Sequence, residues 1–169
     1  RTGVFNETLA LTGTGTITGG APDVGTGYVV TGMSLADGFG AASNYSINGN
    51  VEADITQKVV NLSGSRADDG TTSVAGSIMT VETGTTETLT ASGSGKAAQS
   101  SPGIGILVDA TSPGINLVSG TGTASNYTLT GGTHQVDISA TSAYITGTKT
   151  YDASTAVSYT HLTLPTTLN

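Results

Sequence analysis

Only a few side chains in this sequence could do chemistry. The histidines are His134 and His161, and there is no cysteine. A general base needs a nucleophile beside it in a pocket. Serine and threonine are abundant, yet no Gly-x-Ser-x-Gly segment stands between a strand and a helix; Gly93-Ser94-Gly95 and Gly13-Thr14-Gly15 read as low-complexity sequence. His134 is expected on or near a hairpin as a solvated turn residue, and no catalytic residue is assigned. Asp68-Asp69-Gly70 invites calcium, because carboxylates bunched at a turn bind that ion. A calcium loop also needs six to eight oxygen ligands, and the Asp-x-Asp-x-Asp-Gly spacing is missing. Asp68 and Asp69 are therefore weak calcium candidates. The competing reading is a solvated turn in which Asp69 bonds its own backbone. No cofactor is expected.

Asn-Tyr is the next candidate, because it occurs twice in a longer match. Leu117-Val-Ser-Gly-Thr-Gly-Thr-Ala-Ser-Asn-Tyr-Thr-Leu129 aligns without a gap on Leu35-Ala-Asp-Gly-Phe-Gly-Ala-Ala-Ser-Asn-Tyr-Ser-Ile47, at an offset of 82 residues. Tyr45 and Tyr127 could be exposed ligand contacts or buried anchors. Strand-type residues alternate after each tyrosine, which favours anchors. Asn44 and Asn126 are then expected to fix the preceding Gly-rich turn. Four Asn-x-Ser/Thr triplets, at Asn6, Asn44, Asn61 and Asn126, are near the number that this composition gives by chance, so glycosylation is not indicated.

The elements that must position these residues read as strands. The chain of 169 residues has 25 glycines, no tryptophan and 10% charged residues. Thr, Val, Ile and Tyr favour strands, and no window has apolar residues at helical spacing opposite a charged face. The fold class is all-β, as tandem small β-sandwich-like units of about 80 residues, with a parallel β-helix as the alternative. A helix of stacked coils would repeat every 20–30 residues or so, and only the long period is visible. Net charge is −7, and the five basic residues are scattered singly. A nucleic-acid partner, which needs a basic patch, is excluded. No apolar run is long enough for a membrane helix, so no membrane insertion is expected of this fragment.

In chain order, residues 1–57 read as a first unit lacking its start, 58–141 as a complete second unit, and 142–156 as the start of a third. Asn6-Glu-Thr-Leu-Ala-Leu-Thr-Gly-Thr-Gly15 matches Thr86-Glu-Thr-Leu-Thr-Ala-Ser-Gly-Ser-Gly95, 80 residues on. Asn48-Gly49 predicts a hairpin joining Tyr45/Ile47 to Val51/Ile55, and Gly131-Gly132 predicts the same between Tyr127–Leu129 and Val136–Ile138. Short strands are predicted on either side of Pro113. Residues 157–169 break the pattern and resemble a translated sequencing-library adapter. This tail is set aside as non-native.

With these segments laid out, the chain resembles the YDG-type repeats of filamentous-haemagglutinin-like bacterial surface adhesins. The opening signature is seen in Lys149-Thr-Tyr-Asp-Ala-Ser-Thr155, through Tyr151 and Asp152. It recurs more diverged in Arg66-Ala-Asp-Asp-Gly-Thr-Thr72, through Asp69 and Gly70, with the signature tyrosine read at Ala67 and the glycine of the later copy at Ala153. Asn44-Tyr45 with Asp54-Ile-Thr56, and Asn126-Tyr127 with Asp137-Ile-Ser139, are the closing segments. The resemblance covers nearly all of residues 2–156. It implies a secreted or surface-exposed, extracellular, non-catalytic stalk that presents a distal binding region and whose partners are neighbouring repeats of the same chain. The alternative is a module that binds host or cell-surface glycans or proteins weakly and acts by avidity.

Overall fold

The computed structural model describes residues 6–19, 23–143 and 147–156. The tail 157–169 with His161 lies outside the described residues, as do Phe5, Pro22 and Tyr144. The protein is all-β. Five strands precede residue 57: β1 (Ala10–Thr12), β2 (Thr16–Ile17), β3 (Gly25–Thr31), β4 (Ser34–Ala36) and β5 (Val51–Ile55). Eight follow: β6 (Lys58–Val59), β7 (Asn61–Ala67), β8 (Ser73–Ala75), β9 (Met79–Glu82), β10 (Leu89–Ala97), β11 (Gly103–Ser119), β12 (Tyr127–Thr128) and β13 (His134–Ser139).

A six-stranded sheet in the order β8-β10-β11-β13-β7-β9 dominates. Its two outermost strands, β8 and β9, are joined in sequence by a single 3-10 turn, Gly76–Ile78. Edges that far apart in the ladder can be joined so briefly only if the sheet rolls over on itself. Gly76 sits at that fold, buried, where a Cβ would lie 2.6 Å from the Ser92 carbonyl oxygen. Alternation then sends every second side chain inward: in β13, His134, Val136 and Ile138 are buried and Gln135, Asp137 and Ser139 exposed. Leu62, Val74, Ile106, Val108, Ile115 and Val136 meet inside as one apolar core. Most ladders are antiparallel. Among the described residues only β7 with β13 and β6 with β12 run parallel, so the chain is not a stack of parallel coils.

Residues 6–56 form two smaller sheets, β1-β4 and β2-β3-β5. Their registers reproduce parts of the large sheet. Leu11 faces Leu35 as Ala91 faces Leu117, and Tyr28 faces Ala53 as Ile106 faces Val136. The Asp54 carboxylate accepts the Gly27 N–H at 2.9 Å, and Asp137 accepts that of Gly105 at 2.7 Å. Packing does not follow. No apolar side chain described before Val60 is buried, and Leu11 remains 50% exposed where its counterpart Ala91 is 7% exposed. In the rolled sheet the cover comes from 61–82, the segment of β7, β8 and β9; nothing described before residue 57 plays that part.

Three sequence expectations are corrected here. The two predicted hairpins do not form: residues 45–50 lie outside any strand, and β12 pairs with β6 rather than β13. Residues 58–67 run past both Tyr127 and β13, and this long-range parallel pairing outcompetes the local Gly-based turn signal. Pro113 does not divide β11. The ladder with β10 jumps from Ser94↔Gly114 to Lys96↔Asp109, so 110–113 leave the ladder as a bulge and the strand carries on.

Candidate functional site

Both closing stretches fold the same way. In the first, the Gly38 N–H donates to the Gly40 carbonyl at 3.1 Å and the Gly40 N–H to the Thr8 carbonyl at 3.2 Å; in the second, Gly120, Gly122 and Thr88 repeat both bonds at 3.2 Å. The glycine is required by the close approach of two backbones. A Cβ on Gly120 would lie 2.5 Å from the Thr88 carbonyl oxygen, and one on Gly38 would strike that of Thr8. A 3-10 turn follows, Ala42–Asn44 or Ala124–Asn126.

The tyrosine then points at the segment that leads into β1 or β10. The Tyr45 hydroxyl donates to the Glu7 carboxylate and the Tyr127 hydroxyl to that of Glu87. Thr85 Oγ1 lies 3.3 Å from the Tyr127 hydroxyl. Tyr127 is 6% exposed and packs with Val60 and Leu89; Tyr45 is half-buried. The hydrogen bond to Glu87 raises the Tyr127 phenol above its ordinary value of 10.0. Sequence reading placed the tyrosines as anchors but missed Glu7 and Glu87. Their signal was present, since both stand in the matched segments Asn6–Gly15 and Thr86–Gly95.

Asn126 does something else than expected. The loop is fixed by Asp37, which accepts the Ala42 N–H at 2.6 Å, and by Ser119, which accepts the Ala124 N–H at 2.9 Å. Asn126 reaches 102 residues back: its Oδ1 accepts the Val24 N–H at 2.9 Å and its Nδ2 donates to Asp23 Oδ1 at 2.7 Å. Gln57 Nε2 donates to the carbonyls of Ser125, at 3.0 Å, and Tyr127, at 3.3 Å. The second Ser-Asn-Tyr stretch is thus a contact surface for residues 23–24 and 57. Asn44 is exposed.

Asp68 and Asp69 sit in a turn whose own donors occupy them. The Gly70 N–H donates to Asp68 Oδ1 at 2.8 Å; Asp69 Oδ1 accepts the N–H and hydroxyl of Thr71, both at 2.9 Å, and Arg66 Nη1 at 2.5 Å. Among the described residues no three His, Cys, Asp or Glu side chains group as for a metal. The Thr71 backbone and hydroxyl, with Arg66, hold the Asp69 carboxyl below its ordinary 3.8. Thr111 lowers Asp109, and Lys149 lowers Asp152, in the same direction. Carboxylates lowered on folding stabilise the fold above pH 3.8 and lose that contribution as pH falls through the folded values. Thermal melts should therefore show a midpoint that declines below pH 3.8, with a shallower decline in Asp69→Asn. Calcium and chelator should leave the midpoint at neutral pH unmoved; a rise with calcium would mean these carboxylates bind it.

The same turn recurs 83 residues later. Lys149 Nζ pairs with Asp152 at 2.7 Å as Arg66 does with Asp69, and the Ser154 N–H donates to Asp152 Oδ1 at 2.9 Å as that of Thr71 does to Asp69. This superposition sets Tyr151 against Asp68, not Ala67, because the cation and carboxylate three residues apart fix the register. It also sets Ala153 against Gly70, and both are left-handed, with φ of 60° and 75°. Alanine there costs about 1–2 kcal/mol. Ala153→Gly should slow exchange of the Ser154 amide with solvent, and Gly70→Ala should speed that of Thr71; equal rates in variant and parent would show the turn is unstrained.

His134 is not a solvated turn residue. It lies on β13, 9% exposed, and its Nε2 is 3.0 Å from the Leu129 carbonyl oxygen. A hollow of about 490 Å³ beside it is lined by Lys96, Asp109 and Thr133 among others. Among the described residues no hydroxyl is hydrogen-bonded to the imidazole; Nε2 meets a carbonyl and Nδ1 has no partner. No described helix is long and apolar enough to cross a membrane. No family model, curated protein or solved structure matches the chain.

Proposed function

We propose that the chain is a length of the stalk of a secreted or surface-exposed bacterial adhesin, with β-rich units in tandem that carry tension between a cell and a distal binding region. The supporting observation is how the chain enters and leaves the rolled sheet. It enters at the start of β7 and leaves at the end of β13, and these strands are parallel neighbours from Leu62↔His134 to Ala67↔Ser139. Pulling the two ends apart drags parallel neighbours in opposite directions along their length. Every hydrogen bond between them is then loaded together in shear, where strands pulled sideways would open one bond at a time. The exit is secured further by the Asp68 N–H on the Ser139 carbonyl at 2.8 Å and the Thr141 hydroxyl on the Asp68 carbonyl at 2.6 Å.

Single-molecule stretching of the whole chain from its two ends tests the proposal. Unfolding of 61–139 should release about 25 nm of chain in one step, and the step should return after relaxation. The same sheet pulled through cysteines placed on β8 and β11 should yield at clearly lower force. Equal forces in both directions would remove the support for a load-bearing role.

A glycan- or protein-binding module acting by avidity is the second reading. It is favoured by Phe39 and Tyr151, which are 89% and 91% exposed; exposed rings suit sugar faces. Glycan-array binding that Phe39→Ala abolishes would support it over the stalk.

A further inference from the structure

Strand β5 is bonded to β3 on one edge, and among the described residues no strand pairs on the other. Its counterpart β13 has both edges filled, by β11 and by β7. The two strands correspond through Ala53 with Val136, Asp54 with Asp137 and Ile55 with Ile138, as their registers and aspartate bonds require. Burial reflects the difference: Val136 and Ile138 are buried, whereas Ala53 and Ile55 are half-buried. An open strand edge is a template for another strand.

The same chain contains a second segment built like the end of β7. Residues 147–152 correspond to 64–69, down to the cation–carboxylate clamp that closes the turn. Among the described residues 147–150 belong to no ladder. One molecule thus carries both halves of a pairing that β7 and β13 already make elsewhere in it.

We propose that the open edge of β5 binds residues 147–150 of a second copy of this chain as a parallel strand. The register carries over from Val136↔Gly64 through Ser139↔Ala67. It sets Ala53 against Gly147, Asp54 against Thr148, Ile55 against Lys149 and Thr56 against Thr150. Main-chain hydrogen bonds supply the affinity, as in other strand additions. Donor and acceptor are different surfaces, so the association runs head to tail and extends into chains or rings rather than stopping at a symmetric dimer.

The chain has no cysteine, which makes crosslinking a clean test. Thr56 and Thr150 are exposed and end the proposed register. Chains carrying Thr56→Cys or Thr150→Cys are mixed in equal amounts and oxidised. Random collision would make half of the disulfide dimers mixed; the proposal expects nearly all to be mixed. A chain carrying both substitutions should oxidise into head-to-tail multimers. Sedimentation of the unsubstituted chain should give a mean mass that rises with concentration. Mixed dimers at the random fraction, closure of the double variant on itself as a monomer, or a mass fixed at the monomer value would each overturn the proposal.

Discussion

Replacing Tyr127 by alanine lowers the melting midpoint by on the order of 15 °C, the loss expected when a buried aromatic ring is removed from a unit of this size. The ring is 6% exposed against Val60 and Leu89, and its hydroxyl ties β12 to Glu87, just before β10. Alanine leaves a cavity and removes the donor that Glu87 faces. Tyr127→Phe keeps the ring and should lose far less. It should also change the alkaline limb. The phenol is raised by its bond to Glu87, so the neutral form is favoured in the fold. Its stabilisation is complete below pH 10 and is lost as pH rises through the folded value. The phenylalanine variant lacks that contribution and should decline less steeply above pH 10. Tyr45→Ala, at the half-buried twin, should move the midpoint much less. A Tyr127→Ala chain that melts with the parent would show that the ring is not core.

Leu62→Ala should cost about 2–5 kcal/mol of unfolding free energy, read from the shift of the urea midpoint at unchanged slope. Leu62 is 1% exposed and faces His134 across the parallel ladder and Val81 across the antiparallel one. It therefore packs in the apolar core from a strand that is paired on both sides. Leu11→Ala serves as the contrast. That side chain is 50% exposed, and its truncation should fall within about 0.5 kcal/mol. Similar losses at the two positions would mean that residues 6–56 hold a core of their own.

The strand content and the twin closing stretches could be read from the sequence because they are local: alternation, turn glycines and a gapless match. Tyr127 as an anchor followed from the same alternation, and Asp69 as a self-bonded turn from its glycine and threonine neighbours. What could not be read depends on distant partners. Asn126 looks like a turn residue, yet its hydrogen bonds go to Asp23 and Val24. Gly131-Gly132 looks like a hairpin tip, yet the strands on either side bond to 58–67 instead. Similarity between the halves also concealed their unequal packing. Leu11 and Ala91 occupy the same register, but only the latter has 61–82 to cover it.

The central claim is that the Ser125-Asn126-Tyr127 stretch both bonds back to Glu87 and holds residues 23–24 and 57 in place. Spin labels on exposed Thr26 and Thr90, each replaced by cysteine, report that directly by pulsed dipolar spectroscopy. The account predicts one narrow distance in the otherwise unaltered chain, and a broad distribution once Asn126→Ala and Gln57→Ala release Asp23, Val24 and the Ser125 and Tyr127 carbonyls. A distribution already broad with Asn126 and Gln57 in place would contradict it.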